Sequence, residues 1–173
     1  GADRKSWLHS LTTQHVSELP DGAVTQNLSL DGQGRVEDHW LQTQLEGLTV
    51  LDTEPWRGEP LLAYLRRMVF WADVTVEPAD LAVLSLLGPQ LAEAPVLAAL
   101  GISALPAEET AEALAEGGFV RRLPGSGIAI DVIVPKTQAD GWNDRLVAAG
   151  VRPAGVWTYE AHRVAERRAR LGV

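Results

Sequence analysis

The chain has 173 residues, 46% apolar and 22% charged, with a formal net charge of −8 and no cysteine. That length suits one domain or two small ones with a real core. The missing thiols exclude disulfides, iron–sulfur ligation by this chain and a cysteine nucleophile, and the acidic balance argues against broad binding to a phosphate backbone. No run of about 18 apolar residues is present, and no basic leader precedes an apolar segment, so a soluble, cytoplasmic protein is expected. His9, His15, His39 and His162 are scattered without metal-ligand spacing, and no metal site is expected.

In chain order, Asp3 to His15 predicts a short helix with Asp3 as N-cap and Trp7, Leu8 and Leu11 on one side. After the turn ELPDG comes a hairpin, AVTQNLSL–DGQG–RVEDHWLQTQ, and Glu46-Gly47 turns the chain into a third strand over Leu48 to Glu54. A helix is expected from Pro60 to about Trp71, with Leu61, Leu62, Leu65, Met68 and Val69 as a core stripe. DVTVEP alternates, with Val74 and Val76 inward, and Leu81 to Gly88 reads as a strand buried on both faces. Pro89 opens a helix bent at Pro95, and Pro106 to Glu116 predicts a short acidic helix stopped by Gly117-Gly118. FVRRL and GIAIDVIVP are strands joined by PGSG. On the second, Ile128, Ile130, Val132 and Val134 share one face and Asp131 points to the other. A helix ending at Gly150 and a last helix running to the chain end complete the order.

Strands that pair mostly as antiparallel neighbours and alternate with helices indicate an α+β fold in two layers. Two lobes are expected. Residues 1–72 supply a helix, a three-stranded meander and a second helix, and residues 73–173 a ferredoxin-like α+β lobe.

The segment with most chemical content is Asp31 to Trp40. With Leu30 and Arg35 flanking a four-residue loop, Asn27 falls opposite Asp38 and Thr25 opposite Trp40. One face then carries Thr25, Asn27 and Ser29 beside Val36, Asp38 and Trp40. Such a face, rich in donors and acceptors around an indole, suits a flat, polar, heteroaromatic ligand better than a dry core. The chain contains no phosphate loop, dinucleotide fingerprint, nucleophile elbow or zinc-protease motif. Ser126, in a Gly-Ser-Gly turn followed by a strand, is a turn residue. Arg163, Arg167, Arg168 and Arg170 read as a solvated helical face.

GADRKSWLHSLTTQHVSELPDG, GQGRVEDHW, ADLAVLSLLGPQ, GIAIDVIVP and GVWTYEAHRVAERRARLG, in this order, resemble the glycine-cleavage T-protein (aminomethyltransferase) superfamily, specifically its YgfZ-type folate-binding branch. The resemblance implies lobes around a channel that takes tetrahydrofolate. Asp38 aligns with the first of two aspartates that meet the folate nitrogens, the second being His39 here. Arg163 aligns with the Arg of the L-R-[LI]-E signature, whose Glu is Ala165, and Asp131 falls near an acidic position of the family's G-[FY]-E strand. The K-G-C-[YF]-x-G-Q-E motif of the YgfZ branch is absent, as if a carboxyl-terminal lobe were missing.

The resemblance thus implies folate held by Asn27, Asp38, Trp40, Asp131 and Arg163. The role it implies is that of an accessory protein serving iron–sulfur protein assembly or tRNA modification, with iron–sulfur proteins or tRNA-modifying enzymes as partners. The enzymatic alternative is an aminomethyltransferase with Asp38 as the catalytic acid–base group. The third reading is a non-catalytic interaction module using the acidic helix of Glu108 to Glu116.

Overall fold

The computed structural model describes residues 1–168, which fall into two compact units, one ending at Ala79 and one beginning at Asp80. Both combine antiparallel sheet with short helices, the α+β class expected from the strand and helix alternation. Among the described residues no helix is long and apolar enough to cross a membrane.

The first unit contains α1 (Arg4–His9), β1 (Val24–Leu30), β2 (Val36–Leu45), β3 (Leu48–Asp52), a single 3-10 turn (Pro55–Arg57) and α2 (Gly58–Arg67). Its sheet is the expected meander, in the order β1-β2-β3. Glu46 and Gly47, at φ 51° and 77°, form the two-residue turn between β2 and β3, where two left-handed residues match the twist of the strands. α1 stops six residues before the expected end at His15. Ser10 Oγ donates to the Trp7 carbonyl, Thr12 Oγ1 to the Gln14 carbonyl, and the Thr13 amide to Leu28, so local polar contacts compete with further helix. Asp3 stands at the N-cap position without capping. Its Oδ2 instead accepts the Asp73 amide at 2.8 Å.

α2 ends at Arg67, short of Trp71, and Phe70 takes φ 45° just beyond it. Leu61 and Leu65 pack with Trp7, Leu8, Val16 and Trp40 into this unit's core, and the Trp7 indole donates to the Met68 carbonyl at 2.8 Å. The DVTVEP segment forms no strand. Val74 and Val76 nevertheless pack on this core, as their alternation suggested.

The second unit contains β4 (Leu81–Leu87), α3 (Ala94–Leu100), β5 (Ala111–Ala113), β6 (Phe119–Arg122), β7 (Ala129–Pro135), α4 (Ala139–Ala148) and α5 (Val156–Ala165). The sheet is wholly antiparallel in the order β4-β7-β6-β5. Ile130, Val132 and Val134 of β7 form a core with Val96 and Leu100 of α3 and Trp142 and Leu146 of α4. The connectivity among the described residues is β-α-β-β-β-α-α, which departs from the β-α-β-β-α-β order of a ferredoxin-like lobe.

Two expectations are corrected in this unit. The apolar run at Leu81 is an edge strand rather than one buried on both faces. Among the described residues it pairs only with β7, and Val83 is 45% exposed. The acidic segment from Pro106 to Glu116 is no helix. Ala111–Ala113 is β5, and Gly117 and Gly118, at φ 94° and 83°, turn it into β6. An isolated eleven-residue helix is marginal in water, and pairing at a sheet edge outweighs its propensity. A Cβ on Gly118 would lie 2.1 Å from the Ile133 carbonyl oxygen, so close backbone approach requires glycine there. The interaction-module reading loses the helix on which it rested. The last helix ends at Ala165, and Arg170 of the arginine group lies outside the described residues.

Candidate functional site

The hairpin register differs from the expected one by two residues along most of its length. Thr25 pairs with Gln42, Asn27 with Trp40 and Ser29 with Asp38, and an irregularity between Ser29 and Leu30 leaves Leu30 opposite Val36 across a five-residue loop. Asp31 sets that loop. Its Oδ1 accepts the Gln33 and Arg35 amides and its Oδ2 the Arg35 Nε, and these bonds, the Arg35 amide first, hold its carboxyl below the usual range. Because side chains alternate with period two, a shift of two residues changes partners but preserves faces. Asn27, Ser29, Asp38 and Trp40 therefore share one face, now joined by Gln42 and Gln44, while Val36 falls away to the rim at 42% exposed.

That face is buried, with Asn27, Trp40 and Gln42 at 0%, Gln44 at 1%, Ser29 at 2% and Asp38 at 3%. Asn27 Nδ2 donates to Gln42 Oε1 at 3.1 Å, and Thr49 Oγ1 to Gln44 Oε1 at 2.8 Å. Five polar atoms of the row have no hydrogen-bond partner: Asn27 Oδ1, Ser29 Oγ, Trp40 Nε1, Gln42 Nε2 and Gln44 Nε2. Buried polar groups are nearly always satisfied, so several orphans along one face set this face apart from an ordinary core.

Asp38 sits at the end of this row opposite Ser29. Arg57 brings both Nε and Nη2 to 2.7 Å from the same oxygen, Oδ1, and among the described residues no hydrogen bond to Oδ2 is seen. The Asp38 charge also reaches Tyr64 on α2. Burial raises that phenol's pKa, Glu37 and Asp38 raise it further, and Arg67 opposes them. The arrangement offers an ionic acceptor in a poorly solvated place, suited to an N–H donor on a planar ligand.

The other expected site residues stand differently. Trp40 is enclosed among Trp7, Leu8, Leu61 and Leu65, so its ring faces serve the core and only its N–H remains to be satisfied. The expected hold of Trp40 on folate is corrected for its ring faces, which are covered by the core. Asp131, on β7 of the second unit, is spent structurally. Arg121 Nε and Nη2 donate to its Oδ2 at 3.0 and 2.8 Å, and Ser85 Oγ donates to its Oδ1 at 2.7 Å, across three adjacent strands. No Asp131 oxygen is left over for a ligand. Arg163 on α5 donates through Nε and Nη2 to Glu160 and through Nη1 to the Arg168 carbonyl, which ties most of its guanidinium into its own helix. Its sequence reading as a solvated face is also corrected, because its side chain is only 12% exposed.

An open depression of about 460 Å³ lies elsewhere in the second unit, between Leu87–Pro89, the Ser126–Ile128 loop and Thr158, His162 and Glu166 of the last helical segment. Ser126 is indeed a turn residue. Its amide and hydroxyl both donate to Glu166, which holds that carboxyl below its ordinary value. None of the expected site residues lines this depression. Among the described residues no group of three or more His, Cys, Asp and Glu side chains could hold a metal ion.

Arg57, Gln42 and Gln44 escaped the sequence reading. Continuing the Asp38–Trp40 alternation would have found the two glutamines. No spacing signal exists for Arg57, 19 residues from its partner.

The α+β fold is T-protein-like. The structure is similar to the crystal structure of glycine cleavage system aminomethyltransferase T from Bartonella henselae, with a TM-score of 0.70 and 18% sequence identity over 84% of this chain and 40% of that chain. The chain therefore spans less than half the length of that neighbour, and at this identity the likeness establishes the fold. No family model matches the chain.

Proposed function

We infer that this chain is a folate-binding module that takes tetrahydrofolate or a derivative on the buried face of its first hairpin. The observation that supports it best is Asp38 at the end of this polar face, where Arg57 engages Oδ1 alone. Folate is a flat heterocycle edged with N–H donors and ring acceptors. Asp38 Oδ2 would accept from it, at the end of the polar face. Bound there, folate would supply a one-carbon carrier, and the residues of this face would orient it and keep water away. The role proposed is that of a cytoplasmic accessory factor in iron–sulfur protein assembly or tRNA modification, its partners the proteins of those systems. The YgfZ-type resemblance is its support.

Aminomethyl transfer is the lesser reading, because the position of the signature Glu holds Ala165. Turnover of an aminomethyl donor would reverse that ranking. Isothermal titration with 5-formyltetrahydrofolate tests the main reading. Saturable heat that disappears in Asp38→Ala is the expected result, and no heat with the intact protein, or full heat with the variant, sinks it.

A further inference from the structure

The edge of a sheet is where one chain can pair with another, and the described strands guard their edges unequally. β5 is three residues long and carries Glu112, β1 is irregular beside Leu30, and β3 ends in Asp52. Shortness, irregularity and charge are features that keep an edge from pairing. β4 has none of them. Leu81–Leu87 reads LAVLSLL, with no charged residue and no proline, and its register with β7 runs unbroken from Leu81 to Leu87.

Ladder geometry decides which backbone groups of β4 are open. The Gly88 amide donates to the Ile128 carbonyl at 2.9 Å and the Lys136 amide to the Asp80 carbonyl at 3.0 Å, so the directly bonded pairs with β7 fall at even positions of β4. Leu81, Val83, Ser85 and Leu87 therefore turn their N–H and C=O groups away from β7. Among the described residues no other backbone group meets them. The Val83 and Ser85 side chains are exposed, so this row lies open to water.

The row is self-complementary. When two copies of β4 run antiparallel about a two-fold axis at Leu84, Leu81 falls opposite Leu87 and Val83 opposite Ser85, which matches every outward residue. The same register sets Ala82 opposite Leu86 and Leu84 opposite its own copy, apolar against apolar. Asp80, the acidic residue flanking the strand, falls opposite Gly88, so no like charges meet although the chain carries a net charge of −8.

We propose that β4 is a homodimerisation edge, on which a second copy of this chain adds its own β4 antiparallel and joins the two four-stranded sheets into one. Strand-to-strand contact of this kind stays below the roughly 1,200 Å² at which standard interfaces begin, so the association is reversible and depends on concentration. It is independent of the folate reading.

Sedimentation and amide hydrogen exchange of the intact protein, from about 10 µM to about 1 mM, test the proposal. A monomer–dimer equilibrium is expected. At the high end the amides of Leu81, Val83, Ser85 and Leu87 should gain about tenfold protection, while those of Ala82, Leu84 and Leu86, already bonded to β7, stay unchanged. Val83→Pro removes an outward N–H and no β4–β7 bond, Val83→Lys sets a charge on the exposed edge, and each should weaken the dimer about tenfold or more. Val83→Thr should leave it within about twofold. If Val83→Pro does not fold, Val83→Lys decides, because the exposed side chain accepts an ammonium without rearranging the strand.

A monomer throughout that range, or a dimer that persists at full strength in Val83→Lys, overturns the proposal. Concentration-dependent protection of other segments with β4 unchanged does the same. Oligomers larger than a dimer also overturn it, because a two-fold pairing closes on itself.

Discussion

Each unit pairs an arginine with a buried aspartate, and the two pairs differ in what they leave unfinished. In the second unit Arg121 and Asp131 are 1% and 2% exposed, and Ser85 completes the carboxylate, so both Asp131 oxygens are used. In the first unit Arg57 serves only one oxygen of Asp38, and the neighbours along the same face include five orphaned polar atoms. Burial of a charge therefore does not by itself separate a structural pair from a binding site. The number of unsatisfied lone pairs and donors around it does, because an unpaired polar group inside a fold costs free energy that a folded chain avoids unless something else meets it.

The largest effect should come from breaking the closed pair. Arg121→Leu strands a carboxylate in a dry place and should destabilise the fold by about 3–5 kcal/mol. Calorimetric or urea unfolding measures it, and a double change to apolar residues at Arg121 and Asp131 should recover most of the loss. Next is Gly118→Ala, at the turn leading into the strand of Arg121. A Cβ there enters the Ile133 carbonyl at φ 83°, for an expected cost of about 2–3 kcal/mol. Gly117→Ala, with φ 94° and open space around it, should cost only about 1 kcal/mol in the same assay.

Opening the unfinished pair should do less to stability and more to binding. Asp38→Ala leaves a guanidinium that can reach water, so about 1.5–3 kcal/mol is expected in unfolding, together with complete loss of folate heat. Equal destabilisation by Asp38→Ala and Arg121→Leu would erase the distinction between the two pairs.

The smallest effect belongs to the other face of the same hairpin. Burial pulls the His39 pKa below its ordinary value against the opposing charges of Glu54 and Asp52. The unfolded chain then takes up the proton first as pH falls through about 6.5, so stability declines below that pH and is fully present above it. Unfolding midpoints at pH 7.5 and 5.5 should show a loss under about 1 kcal/mol, removed in His39→Gln.

Much of the hairpin was legible in advance. Period-two alternation placed Asn27, Ser29, Asp38 and Trp40 on one face, and that placement survived an error of two residues in register because the error was even. The loop length was not legible, since the irregularity beside Leu30 depends on how Asp31 gathers the amides around it. The segment around Glu108–Glu116 misled because alanines and glutamates favour helix locally while the sheet offered a vacant edge to pair with.

The order of residues alone determined which side chains share a face and where turns fall, because covalent geometry and glycine's freedom act over a few residues. Only the tertiary structure decided that Trp40 belongs to the core, that Asp131 is consumed by Arg121, and that Arg57 meets Asp38. Those outcomes turn on which distant groups arrive to satisfy a buried charge or cover a ring, and proximity of that kind is set by packing rather than by spacing along the chain.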